Sequence, residues 1–191
     1  SAASDVYKRQ VLGNVAEDPS TEEHLLRGTL AHAFFEAIGR GMDAEKAKLL
    51  VMEAFERIQD VPQWQLRFKL DEFSALLDRA REWARQSEVN QELVGVEIPV
   101  GVHVGEGVRI GGYMDRLLRD EEGNYLVVDL KTGKTQPAKK EAEDHVQLMT
   151  YQLALAHGAF DGHQVHDGEG MPRQGGVLVY PCLLYTSPSP R

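Results

Sequence analysis

Cysteine is almost absent from this sequence of 191 residues, which contains only Cys182. A single thiol excludes an internal disulfide framework, and it excludes a metal site that the chain builds from cysteines alone. Any metal chemistry of this chain must therefore use oxygen and nitrogen ligands.

Long apolar runs are also absent. No stretch approaches the roughly 18 consecutive apolar residues that a membrane-spanning helix needs. The first residues show no charged segment followed by an apolar stretch, which is the pattern of a signal peptide. We therefore expect a soluble, cytoplasmic protein without a membrane partner.

Basic residues are outnumbered, because 21 Lys and Arg stand against 30 Asp and Glu and the formal net charge is -9. Affinity for nucleic acid comes largely from cationic side chains that displace counterions from phosphates, so this charge argues against tight binding by the chain alone. It is compatible with a nuclease that receives its strand from a larger partner that grips DNA. A local basic cluster could contact a phosphate or lie in a solvated loop; it contains Lys131, Lys134, Lys139 and Lys140.

Both ends of the sequence differ in character from the rest. Residues 1–10 (SAASDVYKRQ) and 182–191 (CLLYTSPSPR) resemble translated sequencing-adapter sequence, and we expect both to be non-native flanks. The remainder, residues 11–181, is long enough to bury one sizeable core and too short to favour two. We therefore expect a single domain cut out of a longer protein.

Three segments in the first half carry apolar residues at helical spacing. The first begins near residue 21, with Ser20 or Thr21 available as the N-cap, and ends at Gly39 or Gly41. Two further helices are predicted over residues 44–58 and 68–86. We expect these two to be accessory helices that pack against the rest of the domain.

The character changes after residue 93, where β-branched and aromatic residues are interrupted by glycines and turns. Strands are predicted over 94–100, 108–119 and 124–131, and the last two form a hairpin. A helix over 142–157 and a short strand over 176–180 complete the chain. This order predicts an α/β domain with a small mixed sheet flanked by helices.

Asp129 and Lys131 lie two residues apart on a predicted strand, so their side chains share one face of the sheet. A surface salt bridge would also explain this pair. The partner strand carries Asp115. A two-residue hairpin turn would place Asp115 opposite Val128, whereas a three-residue turn would place it opposite Asp129.

Only the three-residue turn puts both carboxylates on one face, with Cβ atoms about 5 Å apart. Two like charges at that spacing on a partly buried sheet are destabilising unless a cation lies between them. A hard divalent ion would resolve the conflict. Gly111 and Gly112 offer a bulge that would adjust the register or let a phosphate backbone approach.

Two helices carry further polar candidates. His32 lies at the edge of the apolar stripe of the first helix, where a histidine is commonly a core residue with a satisfied hydrogen bond. Gly28, one turn earlier, costs about 1 kcal/mol relative to Ala, which indicates that something approaches closely there. Gln147 and Tyr151 share one face of the later helix, although this pair alone is equally compatible with ordinary surface.

The chain resembles the RecB-like branch of the PD-(D/E)xK nuclease superfamily through four motifs in the family's order. They are GTLAH at 28–32, GGYMDR at 111–116, VVDLKTG at 127–133 and QLMTY at 147–151. Within that branch, residues 115–181 look most similar to the C-terminal nuclease domain of actinobacterial AdnB-type helicase-nucleases. Met114 replaces the proline of the superfamily name, which is a common variation.

The resemblance implies a restriction-endonuclease-like core of order α-β-β-β-α-β with two accessory helices inserted after the first helix. It implies that Asp115, Asp129 and Lys131 are catalytic residues. Lys131 would orient or activate the attacking water. The implied ligands of Mg²⁺ or Mn²⁺ are His32, Asp115, Asp129 and the backbone carbonyl of Leu130, which agrees with the preference of Mg²⁺ for oxygen ligands.

Two further roles follow from the resemblance and the pattern. Gln147 and Tyr151 would support the site and the nucleic acid strand. Glu97, on the first predicted strand, would reach a second ion, although strand glutamates commonly face solvent. Many relatives also hold a 4Fe-4S cluster on four cysteines, none of which occurs here, so a cluster is expected only in a longer parent protein.

The implied activity is hydrolysis of DNA phosphodiester bonds, in single strands or at DNA ends. The implied setting is a helicase-nuclease in double-strand-break repair and recombination, with a helicase domain in cis and a second helicase-nuclease subunit as partners. One alternative is a catalytically inactive domain of the same fold that binds DNA ends or acts as a scaffold. Another is a free-standing Cas4-like exonuclease, for which the acidity and the missing cysteines are unfavourable.

Overall fold

A computed structural model describes residues 19–103, 109–133, 146–156 and 173–181. Within those residues the elements are α1 (Pro19–Gly39), α2 (Ala44–Ile58), α3 (Gln63–Ser87), β1 (Gln91–His103), β2 (Arg109–Asp120), β3 (Tyr125–Leu130), α4 (Val146–Ala156) and β4 (Arg173–Val179). The loop lysines at positions 134, 139 and 140 and both expected flanks lie outside the described residues. No helix in the described ranges combines the length and apolarity needed to cross a membrane.

The element order is the predicted one, and the prediction of a small mixed sheet flanked by helices is confirmed. Two helix starts differ from the prediction. α1 begins at Pro19, so Ser20 and Thr21 lie inside its first turn and neither is the N-cap. α3 begins at Gln63 instead of residue 68. The apolar pattern does not predict this first turn, because its large apolar residue, Trp64, faces solvent and does not continue the buried face of the helix.

The four strands form one sheet in the order β1-β2-β3-β4. β1 pairs antiparallel with β2, and β2 pairs antiparallel with β3, whereas β3 and β4 are parallel. Parallel neighbours need a crossover connection, and α4 lies between β3 and β4 in the chain.

Each face of the sheet has its own apolar core. On one face, α1, α2 and α3 pack over Leu118 and Val128. On the other, α4 packs over Leu117 and Val127. Neighbouring residues of β2 and β3 thus go to opposite cores, as strand alternation requires. Helices therefore cover both faces of the hairpin that carries the candidate site.

The β2–β3 hairpin closes with three residues, Glu121, Glu122 and Gly123. The N–H of Asp120 donates to the carbonyl of Asn124 at 3.0 Å, which closes the turn. Gly123 has φ 85°, a conformation that glycine adopts without steric cost. Of the two turn lengths compatible with the sequence, the structure has the longer one.

This turn sets the register of the two carboxylates. Arg116 lies opposite Val128 in the ladder. Asp115 and Asp129 are the next residues beyond this last pair. The hairpin therefore has the turn length on which the expectation of a shared site depends, and the shared site itself stays a prediction.

Gly111 and Gly112 do not form the predicted bulge, because both pair in regular register with β1. The register shift lies in β1 instead, between Leu93 and Gly95. A Cβ at Gly112 would lie 3.4 Å from the ring of Tyr151, which is an ordinary van der Waals distance, so Gly112 faces α4.

α1 crosses the sheet from the end of β3 to β1. A Cβ at Gly28 would lie 3.2 Å from the hydroxyl oxygen of Thr132, just after β3. A Cβ at Gly39 would clash with Val96 in β1. His32 lies between these two close approaches and so is placed over β2.

Candidate active site

His32 and Asp115 meet where α1 crosses β2. The imidazole Nδ1 lies 3.3 Å from the carboxylate Oδ2, and the histidine side chain is 35% exposed. The hydrogen-bonding contact with Asp115 raises the pKa of His32 above its usual range, although burial of the ring opposes the shift. His32 is thus a partly solvated partner of a carboxylate, and the expectation of an ordinary core histidine does not apply.

Glu97 joins this pair from β1. Ligand atoms of His32, Glu97 and Asp115 all lie within 4.8 Å of one another, which is close enough for one metal ion to contact all three. Burial raises the pKa of Glu97, and the neighbouring charge of Asp115 adds to the shift. The glutamate therefore does not simply face solvent.

Near Glu97, the paired side chains of β1 and β2 change from one face of the sheet to the other. Val96 and Arg116 pair with each other and lie against α1. Ile98 and Met114 form a later pair of the same ladder and are buried in the α4 core. Strict alternation would put both pairs on one face, so the face changes between them, where Glu97 adopts φ 49°. Such a conformation is uncommon outside glycine and is often found at functional sites.

Asp129 and Lys131 lie beside this cluster, at the end of β3. Asp129 is 1% exposed, and Lys131 Nζ lies 2.7 Å from its Oδ2 as an ion pair. Apart from this ion pair, Oδ2 has no polar partner among the described residues. Burial raises the pKa of Asp129, and nearby Asp115 adds to the shift while Lys131 opposes it.

The backbone after Asp129 is fixed from both sides. The N–H of Leu130 donates to Oδ2 of Asp115 at 2.7 Å. The N–H of Lys131 donates to the carbonyl of Val179 in β4 at 2.7 Å. The peptide group that carries the predicted carbonyl ligand of Leu130 is thereby tied to β4, and the preceding peptide group is tied to the predicted ligand Asp115.

Gln147 and Tyr151 on α4 complete a chain of hydrogen bonds. Lys131 Nζ donates to Gln147 Oε1 at 2.8 Å, and Gln147 Nε2 donates to the Tyr151 hydroxyl at 2.7 Å. The Tyr151 hydroxyl donates its single proton to the carbonyl of Tyr113 at 2.6 Å. The hydroxyl can therefore only accept a hydrogen bond from Gln147. The amide nitrogen of Gln147 must face Tyr151, so its amide oxygen faces Lys131. The two residues share one face, as predicted, and they are not ordinary surface.

Two arginines next to the site were not predicted from the sequence as site residues. Arg27 donates to the carbonyl of Thr132 at 3.1 Å, directly beside the approach that Gly28 permits. A Cβ at Gly28 would crowd the same residue, at 3.2 Å from the Thr132 hydroxyl oxygen. The only signal for Arg27 in the sequence is its place directly before the GTLAH motif.

Arg116, next to Asp115, is buried on the α1 side of the sheet. Its guanidinium lies 4.3 Å from the ring centroid of Phe35 and donates to Glu88 Oε1 at 2.7 Å. Desolvation lowers the pKa of Arg116. This side chain joins α1, β2 and the end of α3 around the site.

The donor set fits a divalent cation. One imidazole nitrogen and two carboxylates converge at the junction of α1, β1 and β2. The carboxyl groups of Glu97 and nearby Asp129 have raised pKa values because burial disfavours their charge. A hard cation would compensate this charge.

A family model described as the PD-(D/E)XK nuclease superfamily matches residues 6–182. The chain belongs to the PD-(D/E)XK nuclease superfamily. Among curated proteins, none matches the chain significantly. Members of this superfamily are generally metal-dependent nucleases that act on DNA.

Proposed function

We propose that this chain is a metal-dependent deoxyribonuclease module that hydrolyses phosphodiester bonds in single strands or at DNA ends. The observation that carries the proposal is the convergence of His32, Glu97 and Asp115 from three different elements. Residues from separate parts of the chain meet there at a spacing that suits one ion.

The ligands of that ion would be His32, Asp115, Asp129 and the carbonyl of Leu130, with Glu97 as a further carboxylate. We propose Mg²⁺ or Mn²⁺, because oxygen ligands with one imidazole suit these hard cations. When bound, the ion would lower the pKa of a coordinated water and neutralise charge on the phosphate oxygens.

Lys131 would supply a second positive charge. Its ammonium is held by Asp129 on one side and by Gln147 on the other. A cation fixed in advance stabilises negative charge that grows on a phosphate without reorganising during the reaction. The same ammonium would orient or activate the attacking water. Gln147 and Tyr151 would keep it in place through their hydrogen bonds.

We further propose that the module belongs to the RecB-like branch and works within an AdnB-type helicase-nuclease in double-strand-break repair and recombination. The order of the four motifs supports this placement. The net charge of -9 supports delivery of the strand by a helicase domain in cis and a second helicase-nuclease subunit. A 4Fe-4S cluster would belong only to such a parent protein.

Cleavage of a labelled single-stranded oligonucleotide in Mg²⁺ or Mn²⁺ tests the proposal. Asp129→Asn and Lys131→Ala should each reduce cutting by at least a hundredfold, and a chelator should abolish it. Lys48→Ala is the matched control, because that lysine pairs with Asp78 on the accessory helices and should leave cutting unchanged. Undiminished cutting by either site variant would overturn the assignment, and binding without cutting by the unaltered protein would favour an inactive scaffold.

A further inference from the structure

The outer half of the β1–β2 ribbon has one covered face and one open face. On the covered face, Val100 and Met114 are buried against α4. Pro99 and Tyr113, which pair across the two strands, lie on the opposite face and are exposed. α1 packs against the ribbon nearer the other end, at Val96, so an open strip begins just beyond the metal-binding cluster.

Tyr113 is the large apolar side chain at the start of this strip. It is 61% exposed, and its hydroxyl makes no hydrogen bond to any described residue. It precedes Asp115 by two residues, which corresponds to about 6–7 Å along a strand. Its backbone is fixed, because its carbonyl accepts the hydrogen bond of Tyr151. An exposed aromatic ring on a rigid strand therefore borders the proposed metal site.

We propose that Tyr113 stacks on an unpaired base of single-stranded DNA, next to the phosphate that is cut. This inference rests on the proposed nuclease function and adds a substrate-binding residue to it. The strongly acidic chain gains little from attraction to phosphates, so contact with bases would supply affinity that charge does not. Stacking tolerates any base sequence, but it needs a base outside a duplex. The strip would therefore favour single strands.

The position of the ring distinguishes it from other exposed aromatic side chains. Trp64 is 73% exposed, but it lies on the accessory helix α3, which packs against α1 and α2. Tyr113 instead shares a strand with Asp115. Its carbonyl accepts the hydrogen bond of Tyr151, and hydrogen bonds through Gln147 connect Tyr151 to Lys131. A base on this ring would place its own phosphate beside the cluster.

Steady-state cleavage of a single-stranded oligonucleotide tests the proposal. Tyr113→Ala should raise KM on the order of tenfold and leave kcat within about twofold, because stacking acts on binding. Tyr113→Phe should behave as the unaltered protein, since the ring and not the hydroxyl is required. Trp64→Ala, the matched control, should change neither constant. An unchanged KM in Tyr113→Ala, or a loss confined to kcat, would overturn the stacking role while leaving the nuclease assignment intact.

A binding titration decides the proposal even if the protein does not cut. An oligonucleotide that carries 2-aminopurine, whose fluorescence responds to stacking, is titrated with protein in Ca²⁺. The unaltered protein and Tyr113→Phe should change its fluorescence at saturation, and Tyr113→Ala should not. Equal fluorescence changes with all three proteins would show that the base does not stack on this ring.

Discussion

The carboxylate of Asp115 accepts the backbone N–H of Leu130 at 2.7 Å, just beyond the last ladder pair of β2 and β3. Beyond the end of the backbone ladder, a side-chain hydrogen bond thus continues to hold β2 and β3 together. One Asp115 oxygen both fixes the strand that carries Asp129 and lies 3.3 Å from His32. Strand geometry and the candidate ligands are therefore coupled through a single carboxylate.

Asp129→Asn should stabilise the protein when metal is removed. A folded-state pKa above the usual value means that folding disfavours the ionised form, and burial has this effect on Asp129. In a chelating buffer at pH 7 the variant should therefore have the higher free energy of unfolding. This difference should shrink as the pH falls through the raised pKa and the native carboxyl takes up its proton.

Thermal melts with and without Mn²⁺ measure this effect. In millimolar Mn²⁺ the order should reverse, because only the unaltered protein gains binding free energy in the folded state. Asp78→Asn, at an exposed carboxylate, should not show this reversal. A variant that is less stable than the unaltered protein in chelator would contradict the claim that ionised Asp129 is disfavoured by burial.

Affinity for Mn²⁺ should fall as the pH drops below the raised pKa of His32. The proton that Asp115 stabilises on the imidazole must leave before a metal can bind, so affinity should weaken about tenfold per pH unit below that pKa. Without metal, the stability that His32 contributes changes with pH in the opposite direction to the metal affinity. The contribution of protonated His32 to stability is complete below its unfolded pKa of about 6.5 and is lost as the pH rises through the folded value.

Calorimetric titration with Mn²⁺ at pH 5.5 and pH 7.5 checks this dependence, at about one pH unit on either side of the usual histidine pKa. His32→Asn should weaken binding and flatten its pH dependence, while His24→Asn should preserve both. The same affinity at both pH values for the unaltered protein would argue against His32 as a ligand.

Glu88→Gln should destabilise the fold by about 2 kcal/mol, because it removes the anionic partner of a guanidinium that is 1% exposed. Glu92→Gln is the matched control. Its partner Arg119 is exposed, so the loss of unfolding free energy there should be clearly smaller than in Glu88→Gln. Urea unfolding of both variants makes the comparison, and equal losses would mean that burial of Arg116 does not strengthen its ion pair.

Periodicity in the sequence predicts most of the fold, because each helix and strand must bury one face. The common face of Asp129 and Lys131 follows from strand alternation alone. The position of Asp115 does not, because turns of two and three residues both fit the sequence. The hydrogen bond between Asp120 and Asn124 decides this register, and it is visible only in the folded hairpin.

Other parts of the site depend on long-range packing that leaves no local pattern. Arg116 meets partners 81 residues before it, at Phe35, and 28 residues before it, at Glu88. Glu97, which joins the cluster, has a φ of 49° that the strand pattern of the sequence does not predict. The conformational freedom of glycine also misleads at Gly112, which pairs in regular register with β1 and forms no bulge.

The location of a bound ion tests the central claim most directly. Crystals soaked in Mn²⁺ should give one strong anomalous peak about 2.1 Å from ligand atoms of His32 and Asp115, with a Glu97 or Asp129 oxygen also in its coordination shell. The same soak of Asp115→Asn crystals should lose the peak. A saturating soak that leaves this junction of α1, β1 and β2 without a peak, in a protein that still cuts DNA, would contradict the account.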